Sequence, residues 1–556
     1  MTVVIHDTRE FPSVYDFFAD SAARHGTHPF LILPGRCARE WAFPASLSYA
    51  EALAEVNRLA GLYAARGLTD GCTVALALDS RPSHLLHYLA LNKLGACSVP
   101  LNAELTPNEQ AYVLTHARCA AVIALPELVP LMTRAVAQTG RDIPIASGSP
   151  AALPHDPQIP WRFGPVPDPA LRPAAILYTS GTTGKPKGCV LSNRYAQASG
   201  RYYAAPSPAL TLRTGADRVM NPLPLFHMNA LMMTAGGVIE RGAALVLQGR
   251  FSLSHWWADL AETGATRFHY LGLMIPALLA RPPTHHDRDH GVLTGFGAGV
   301  DPGAHVAFEE RFGIPLHEVW GMTETGRGLS VVEEPRHVDS RACGRPGPGF
   351  EVRIAREDGT EAATGEAGEL QARTTGTDPR WGFFSGYLHD PQATEAAWDG
   401  GWFHTGDICT RAPDGMVFFV DRRKNIVRRS GENISSAEVE AVLSALPEVA
   451  QVAVLAVPDA MRDEEVMACI VPVDPAADES TARDICTRSQ ERLAHFKAPG
   501  WLRFVDELPV TSTQKVQKHL IFPDGFDPGN PGPRTHDCRA LKRRPPLPET
   551  TGQTSR

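Results

Sequence analysis

The pattern of apolar and polar residues predicts alternating helices and strands over the first third of the chain. After the capping-box sequence Ser48-Tyr-Ala-Glu51, apolar residues recur at helical spacing until Gly67 ends the segment. Residues 73–78 then form a run typical of a buried strand, and the same two signals return at residues 82–94 and 120–125. Further buried strands are predicted at residues 174–178, 243–247 and 266–271. This alternation favours an α/β fold in which helices flank parallel-rich sheets.

The pattern changes near Asp421, where the elements become shorter and more charged. The sequence Ser435-Ser-Ala-Glu438 predicts the start of a helix that runs through Leu446, and apolar strands follow it. We therefore predict a large N-terminal domain over residues 1–421 and a separate small α+β domain over residues 422–521.

Composition is that of an ordinary globular protein. The 556 residues are 43% hydrophobic and 21% charged, and the net charge of −8 offers no electrostatic basis for binding nucleic acid. The ten cysteines form no C-x-x-C pair, which suits free thiols in a reducing compartment. We find no secretory signal and no apolar stretch long enough to span a bilayer, so we predict a cytoplasmic protein. Residues 522–556 contain seven prolines and four glycines and are predicted to be a largely unpacked tail.

The sharpest local signal is the string Tyr178-Thr-Ser-Gly-Thr-Thr-Gly-Lys-Pro-Lys-Gly188, which leaves a predicted strand. Glycines allow backbone N–H groups to approach an anion closely, and hydroxyl and ammonium groups add further donors. The string therefore predicts a cradle for a polyphosphate. Pro186 follows Lys185 at the position where a Walker-type loop needs a hydroxyl residue for magnesium, so a Walker-type NTPase is excluded.

This string resembles the signature of the adenylate-forming superfamily, which contains acyl-CoA synthetases, peptide-synthetase adenylation domains and beetle luciferases. Further motifs occur in the family's order, so the resemblance extends over residues 11–521. It implies an α/β N-terminal domain built of several subdomains and a small, mobile α+β C-terminal domain. It also implies that the chain uses ATP, magnesium and coenzyme A.

The resemblance assigns a nucleotide site. Trp320-Gly-Met-Thr-Glu-Thr325 is similar to the family's Y-G-x-T-E motif, which implies that Thr323 contacts the α-phosphate and that Glu324 binds magnesium. Gly297-Ala-Gly-Val-Asp301 resembles the adenine loop, and Trp402-Phe-His-Thr-Gly-Asp407 resembles the motif whose aspartate accepts from ribose hydroxyls. The implied ATP and AMP contacts are Thr179, Ser180, Gly181, Thr182, Thr183, Gly184, Lys187, Gly297, Ala298, Gly299, Trp320, Gly321, Met322, Asp407 and Arg422.

The C-terminal motifs imply a reaction in two steps. Leu508-Pro-Val-Thr-Ser-Thr-Gln-Lys515 resembles the segment whose lysine brings the substrate carboxylate to the α-phosphate, with Gln514 in place of the usual glycine. Lys515 takes this catalytic role, and Lys518 is the alternative. The small domain is expected to rotate about Lys424 and to present another face to the thiol path. That face contains Gly431, Glu432 and Asn433.

The acid and its acceptor are less defined. His227 stands where amino-acid-activating domains have an aspartate, and no carrier-protein domain follows the lysine motif, so a free-standing CoA ligase is favoured. Residues 421–433 look closest to carnitine/crotonobetaine-CoA ligases. The implied pocket suits a small or medium organic acid that is carnitine-like, fatty or aromatic, and a homodimer is the expected assembly. The implied pocket consists of His227, Met228, Asn229, His269, Tyr270, Met274 and Gly328, of which His227 is also a catalytic candidate.

Three alternatives stay open at this point. One is a stand-alone adenylation enzyme that loads a carrier protein, and another is a non-catalytic relative that only binds the nucleotide. The third is a luciferase-like oxygenase, which shares the adenylation step. Small-molecule acid, ATP and CoA are the expected partners.

Overall fold

The protein is described from a computed structural model. It covers residues 9–155, 157, 159–179, 186–272, 274–285, 287–300, 302–356, 358–422, 426–509, 516, 518, 521–522 and 525–542. No helix in these ranges is long and apolar enough to cross a membrane.

The described part of the chain forms three sheets flanked by helices. The strands are β1 (Pro29–Ile32), β2 (Ser46–Ser48), β3 (Thr73–Ala77), β4 (Cys97–Pro100), β5 (Ala121–Ala124), β6 (Ile145–Ser147), β7 (Pro173–Thr179), β8 (Lys187–Ser192), β9 (Arg218–Met220), β10 (Ala244–Val246), β11 (Arg267–Leu271), β12 (Thr294–Ala298), β13 (Leu316–Gly321), β14 (Gly328–Ser330), β15 (Ala342–Pro346), β16 (Phe350–Ala355), β17 (Gly368–Thr374), β18 (Gly386–Tyr387), β19 (Phe403–Arg411), β20 (Val417–Arg422), β21 (Ile426–Arg429), β22 (Glu432–Ser435), β23 (Val449–Asp459), β24 (Asp463–Pro472), β25 (Trp501–Phe504) and β26 (Thr535–Asp537).

The helices lie between these strands in chain order. They are α1 (Val14–His25), α2 (Gly35–Glu40), α3 (Tyr49–Ala64), α4 (Pro82–Lys93), α5 (Pro107–His116), α6 (Val129–Thr139), α7 (Asn193–Ala204), α8 (Ala235–Arg241), α9 (Trp256–Thr263), α10 (Met274–Leu279), α11 (Pro302–Phe312), α12 (Pro391–Ala396), α13 (Ser436–Ser444) and α14 (Glu479–Ser489).

The predicted α/β fold is confirmed, and its parallel strands position the site. A 13-stranded sheet has the order β16-β17-β19-β20-β15-β14-β13-β12-β11-β9-β10-β1-β2, and a 7-stranded sheet has the order β18-β8-β7-β4-β3-β5-β6. Strands β9, β11, β12 and β13 are mutually parallel neighbours, so their carboxyl ends meet at one edge. The capping box predicted at Ser48 and Glu51 is present at the start of α3.

The C-terminal part builds its own sheet and core. Strands β22-β21-β24-β25-β26 form one path, and β23 pairs with β24. Apolar side chains of α13, α14 and these strands form a cluster that includes Ile434, Leu443, Ile485 and Leu502. The last strand of the large sheet, β20, ends at Arg422, and the first strand of the small one begins at Ile426.

The prediction of an unpacked tail is wrong for residues 525–542. Strand β26 pairs antiparallel with β25, and Cys538 and Phe526 are buried against the small domain. Without β26 the strand β25 would present unpaired backbone groups at a sheet edge, so the extra strand satisfies them. Lys542 then reaches the buried Glu465 of β24 and forms an ion pair with it.

Candidate functional site

A cavity of about 890 Å³ lies between the N-terminal domain and the small domain. The carboxyl ends of β7, β11, β12 and β13 form one wall, and the turn after β21 forms part of the opposite wall. Of the predicted residues, those that line the cavity are Thr179, Lys187, His227, Met228, Asn229, Tyr270, Gly297, Ala298, Trp320, Gly321, Met322, Thr323, Glu324, Gly328, Gly431 and Glu432.

Trp320 and Asp407 are joined directly. The indole Nε1 of Trp320 donates a hydrogen bond of 2.8 Å to Asp407 Oδ2, and both residues are buried. Asp407 lies on β19 just behind Thr405 and Gly406, which line the cavity. The tryptophan in place of the family's tyrosine therefore supplies a flat ring and also orients the carboxylate assigned to the ribose.

Glu324 lies at the end of the cavity next to Lys187. The hydroxyl of Tyr387 donates to Glu324 Oε1 at 2.9 Å, and Lys187 Nζ lies 4.5 Å from the centroid of the Tyr387 ring. The backbone carbonyl of Thr323 accepts a hydrogen bond of 2.7 Å from Tyr195 on α7. The carboxylate of Glu324, the ammonium group of Lys187 and the hydroxyl of Tyr387 therefore lie close together at the C-terminal end of the predicted phosphate string.

The segment predicted to hold adenine packs closely on the neighbouring strand. A Cβ atom on Gly297 would lie 2.3 Å from the carbonyl oxygen of Tyr270, so only glycine fits there. The Tyr270 hydroxyl and the backbone N–H of Gly299 both donate to Glu318, at 2.6 and 2.7 Å. Burial raises the pKa of Glu318 to about 7, so its charge is sensitive to what occupies the adjacent space.

The small domain closes the cavity with the turn between β21 and β22. Gly431 has a φ of +85°, and a Cβ atom there would lie 2.2 Å from Leu271 Cδ1, so glycine is required for this contact. Glu432 lines the cavity beside it, and burial, with a smaller effect from the charge of Glu104, raises its pKa to about 7. The face predicted to serve the thiol path is therefore the one turned towards the cavity.

A buried cluster of charges holds the two domains in this arrangement. Lys497 Nζ of the small domain lies 2.9 Å from Glu109 Oε1 on α5 and 2.8 Å from Glu438 Oε1 on α13. Burial alone would lower the pKa of Lys497, but the two carboxylates outweigh it and raise the pKa above its ordinary value. Lys497 also lines the cavity.

The predicted acyl pocket is only partly assembled as expected. His227, Met228 and Asn229 reach the cavity where a π-helical turn, Asn229–Thr234, precedes α8. Burial lowers the pKa of His227 to about 4, so its imidazole is neutral at neutral pH. His269 and Met274 do not line this cavity. The imidazole of His269 is fully buried behind it, with Nε2 3.1 Å from Thr234 Oγ1, and Met274 packs in the apolar core.

Several predicted residues lie outside the described part of the chain. These are Ser180, Gly181, Thr182, Thr183, Gly184, Lys424 and Lys515. Arg422 and Asn433 are described only by their backbone. The alternative lysine, Lys518, binds Ser436 and Glu440 of the small domain at 2.8 and 2.7 Å.

Three residues that line the cavity, and Glu318 behind the lining residue Tyr270, were missed by the sequence reasoning. Glu318 lies two positions before Trp320, so its place in the motif was a usable signal. Arg327 lies between the Trp320–Thr325 motif and Gly328, so its position was also a usable signal. Tyr387 and Lys497 come from separate segments, and no local pattern marks them. Only the folded chain brings them to the cavity or to its edge.

Comparisons with known proteins agree with this geometry. Residues 18–388 match the family model described as AMP-binding enzyme, and residues 438–515 match the AMP-binding enzyme C-terminal domain. The crotonobetaine/carnitine–CoA ligase of Salmonella arizonae is 32% identical over 497 residues, which cover 85% of this chain and 92% of that protein. The sulfoacetate–CoA ligase of Cupriavidus necator is 32% identical over 524 residues, which cover 92% of this chain and 98% of that protein.

Solved structures show the same fold. The o-succinylbenzoate CoA synthetase of Bacillus subtilis, bound with its product analogue OSB-NCoA, gives a TM-score of 0.78 at 23% identity, covering 92% of this chain and 98% of that one. The same enzyme in complex with the acyl-adenylate intermediate OSB-AMP gives 0.63 at 24% identity, covering 91% and 97%. The match to the family models and the identity with the two curated ligases show that the chain belongs to the AMP-binding enzyme family within the adenylate-forming superfamily and is an acid–thiol ligase.

Proposed function

We propose that the protein joins a small or medium organic carboxylic acid to coenzyme A in two steps, with ATP cleaved to AMP and pyrophosphate. The observation that carries this proposal is that one cavity is shared by the two domains. Its walls combine the nucleotide motifs of the N-terminal domain with the Gly431–Glu432 turn of the small domain. One cavity can thus hold an acyl-adenylate and admit a thiol to it.

In the first step the acid's carboxylate attacks the α-phosphorus of ATP, forming an acyl-adenylate and releasing pyrophosphate. The phosphate string from Thr179 to Lys187 binds the phosphates, and Thr323 contacts the α-phosphate. Lys515 places its positive charge between the two anions that must meet. Trp320 stacks on adenine, and its hydrogen bond to Asp407 orients the carboxylate that accepts from the ribose. The neutral imidazole of His227 lines the path of the acid without attracting it as a cation would.

Magnesium fits one carboxylate here, namely Glu324. Magnesium in such sites commonly takes one or two carboxylates together with substrate phosphate oxygens. Glu324 lines the cavity and is oriented by the Tyr387 hydroxyl. When bound, the ion would neutralise charge on the phosphates during displacement.

In the second step the thiol of coenzyme A attacks the acyl carbon and AMP leaves. The described arrangement suits this step, because Gly431 and Glu432 face the cavity and Lys518 is bonded within the small domain. Rotation about Lys424, between an N-terminal domain of residues 1–421 and a mobile domain of residues 422–521, would exchange this face for Lys515.

The relatives narrow the range of acids to test. One similar protein is named for crotonobetaine and carnitine and another for sulfoacetate, which are all short acids with a charged group at the far end. We propose an acid of this size rather than a long-chain fatty acid. A cavity of about 890 Å³ that also receives a nucleotide leaves little room for a long chain.

The test is a panel of carboxylic acids supplied with magnesium-ATP, with and without coenzyme A. Pyrophosphate release without a thiol measures adenylation, and mass spectrometry of the thioester measures the second step. We expect both from one acid class, with AMP as the nucleotide product. A parallel reaction contains a carrier protein bearing phosphopantetheine in place of coenzyme A, to test the carrier as the thiol acceptor. Thioester on the carrier alone would reject the CoA-ligase proposal, and ADP as product would reject adenylate formation.

A further inference from the structure

Arg327 places a buried positive charge at the wall of the cavity. It lies just before β14, is 8% exposed, and lines the cavity together with Tyr202 of α7. Among the described residues no carboxylate forms an ion pair with it, and only Tyr202 and Tyr195 act on it electrostatically. Burial lowers its pKa to about 10, so it remains charged at neutral pH. A buried charge without a counter-ion is costly, which indicates that an anion completes the site.

The guanidinium is oriented by its neighbours but not neutralised by them. Nη2 donates to Thr374 Oγ1 and to the carbonyl oxygen of Trp381, both at 2.7 Å. The rings of Phe350 and Trp381 lie 5.6 and 5.2 Å from its Cζ. The buried Nε has no hydrogen-bond partner among the residues that the structure describes. These contacts hold the group in one place and leave donor capacity unused.

Tyr202 supplies a second unused polar group in the same wall. Its hydroxyl is buried, and apart from the neighbouring Ser330 side chain no described residue is a hydrogen-bond partner for it. Arg327 and Tyr202 are close enough to influence each other's pKa. The neighbours of Arg327 and Tyr202 include Thr374, Trp381 and Ser330, whereas Glu324 and Lys187, at the phosphate end of the cavity, both contact Tyr387. The two groups therefore belong to a different part of the cavity, where the end of the acid remote from the phosphates would lie.

We propose that Arg327 and Tyr202 bind an anionic group at the far end of the acid, so that the substrate class is short acids with a second carboxylate or a sulfonate. This inference rests on the proposed function. Guanidinium and phenol donors match the oxygens of such a group, and Arg327 is already oriented to receive it. An acid that ends in a quaternary ammonium would bring a like charge to Arg327, so carnitine-like acids are disfavoured.

Three acids of matched length test the inference. Succinate carries an anion at its far end, butyrate a methyl group and 4-aminobutyrate a cation, and sulfoacetate is added as the sulfonate. We expect pyrophosphate release to be most efficient with the anionic acids. Arg327→Gln is expected to raise KM for them by about 10- to 100-fold, the effect of losing a hydrogen bond to a charged group, with KM for ATP unchanged. Tyr202→Phe should show a smaller change in the same direction.

The control is Arg353→Gln, because Arg353 also lies over an aromatic ring, Trp402 at 4.7 Å, but does not line the cavity. Arg327→Lys keeps the charge and guards against loss of the fold, which circular dichroism monitors. Calorimetry of succinate and sulfoacetate with the AMP-bound protein reports binding without turnover. If the wild type binds succinate or sulfoacetate but does not turn them over, and Arg327→Gln loses this binding, the inference is sustained and the ligase proposal is rejected. Turnover that favours butyrate or 4-aminobutyrate would overturn the inference but not the ligase proposal. The same holds if Arg327→Gln raises KM for ATP as much as KM for the anionic acids, or if the wild type binds neither succinate nor sulfoacetate.

Discussion

The buried cluster of Lys497, Glu109 and Glu438 makes the domain arrangement testable. Within this cluster Lys497 forms an ion pair with Glu109 across the domain boundary, whereas its ion pair with Glu438 lies inside the small domain. Glu438 also interacts with Glu109, and burial together with this neighbouring carboxylate raises the pKa of Glu438. The side chains of Lys497 and Glu109 are 7% and 10% exposed, so solvent and salt screen their interaction weakly. Removing the charge of Glu109 should therefore weaken this arrangement without weakening the small domain itself.

The structure sets the expected size of the effect. Glu109→Gln should cost this arrangement about 1.5–3 kcal/mol, the value of a hydrogen bond to a charged group. Glutamine can still accept from the Thr106 backbone N–H, so the capping box of α5 is retained. Lys497→Met should cost more, about 3–5 kcal/mol, because it leaves Glu109 and Glu438 buried without a cation. Each 1.4 kcal/mol is about tenfold in population, so up to about 100-fold is expected for Glu109→Gln.

The two half-reactions are measured separately. Pyrophosphate exchange reports adenylation, and rapid mixing of preformed acyl-adenylate enzyme with coenzyme A reports thioester formation. We expect thioester formation to fall in both variants, more in Lys497→Met, while adenylation stays near the wild-type rate. Glu55→Gln, which removes a surface pair with Arg58, is the matched control. Equal loss of both half-reactions, or no loss in either variant, would refute the view that this contact stabilises the thioester-forming arrangement.

Four further predictions concern single residues. Lys515→Ala should abolish adenylation and spare thioester formation from preformed adenylate, and near-normal pyrophosphate release with loss in Lys518→Ala would reverse the assignment. Lys424→Pro should spare adenylation and block thioester formation, because proline fixes φ near about −65° and so prevents rotation at this position. Lys424→Ala is the control for loss of the charge. Equal loss of both steps, with an unchanged circular dichroism spectrum, would count against Lys424 as the residue about which the small domain rotates. Glu324→Gln should lower pyrophosphate release by several orders of magnitude at limiting magnesium, and an unchanged rate would remove the ligand role. Trp320→Phe keeps a flat ring but loses the indole N–H that bonds Asp407, so KM for ATP should rise about tenfold. KM for 2′,3′-dideoxy-ATP should change little, because this nucleotide lacks the ribose hydroxyls that Asp407 is proposed to bind. Equal rises in the two KM values would argue against an effect through the ribose.

Local patterns were enough for the elements and for the motifs that we propose to bind the nucleotide. The capping box at Ser48 and the buried run at residues 73–78 became α3 and β3, because capping and burial are decided by neighbouring residues. The cavity motifs were also found locally, since Gly297, Trp320 and Glu324, which line the cavity, each lie in a short recognisable string. The family and the two-domain architecture followed from the order of such strings along the chain.

Tertiary structure alone decided the contacts between distant segments. The tail was predicted to be unpacked because proline and glycine dominate it, yet β26 completes the edge of the small sheet, which no local pattern encodes. Lys497 meets Glu109 across 388 positions of sequence, and Arg327 is buried by segments 47 and 54 positions away. A charge in the sequence is expected to be solvated, and only packing shows that it is buried. The sequence therefore determined the fold and the family, whereas the buried Lys497 cluster and the burial of Arg327 depend on desolvation that only the folded chain produces.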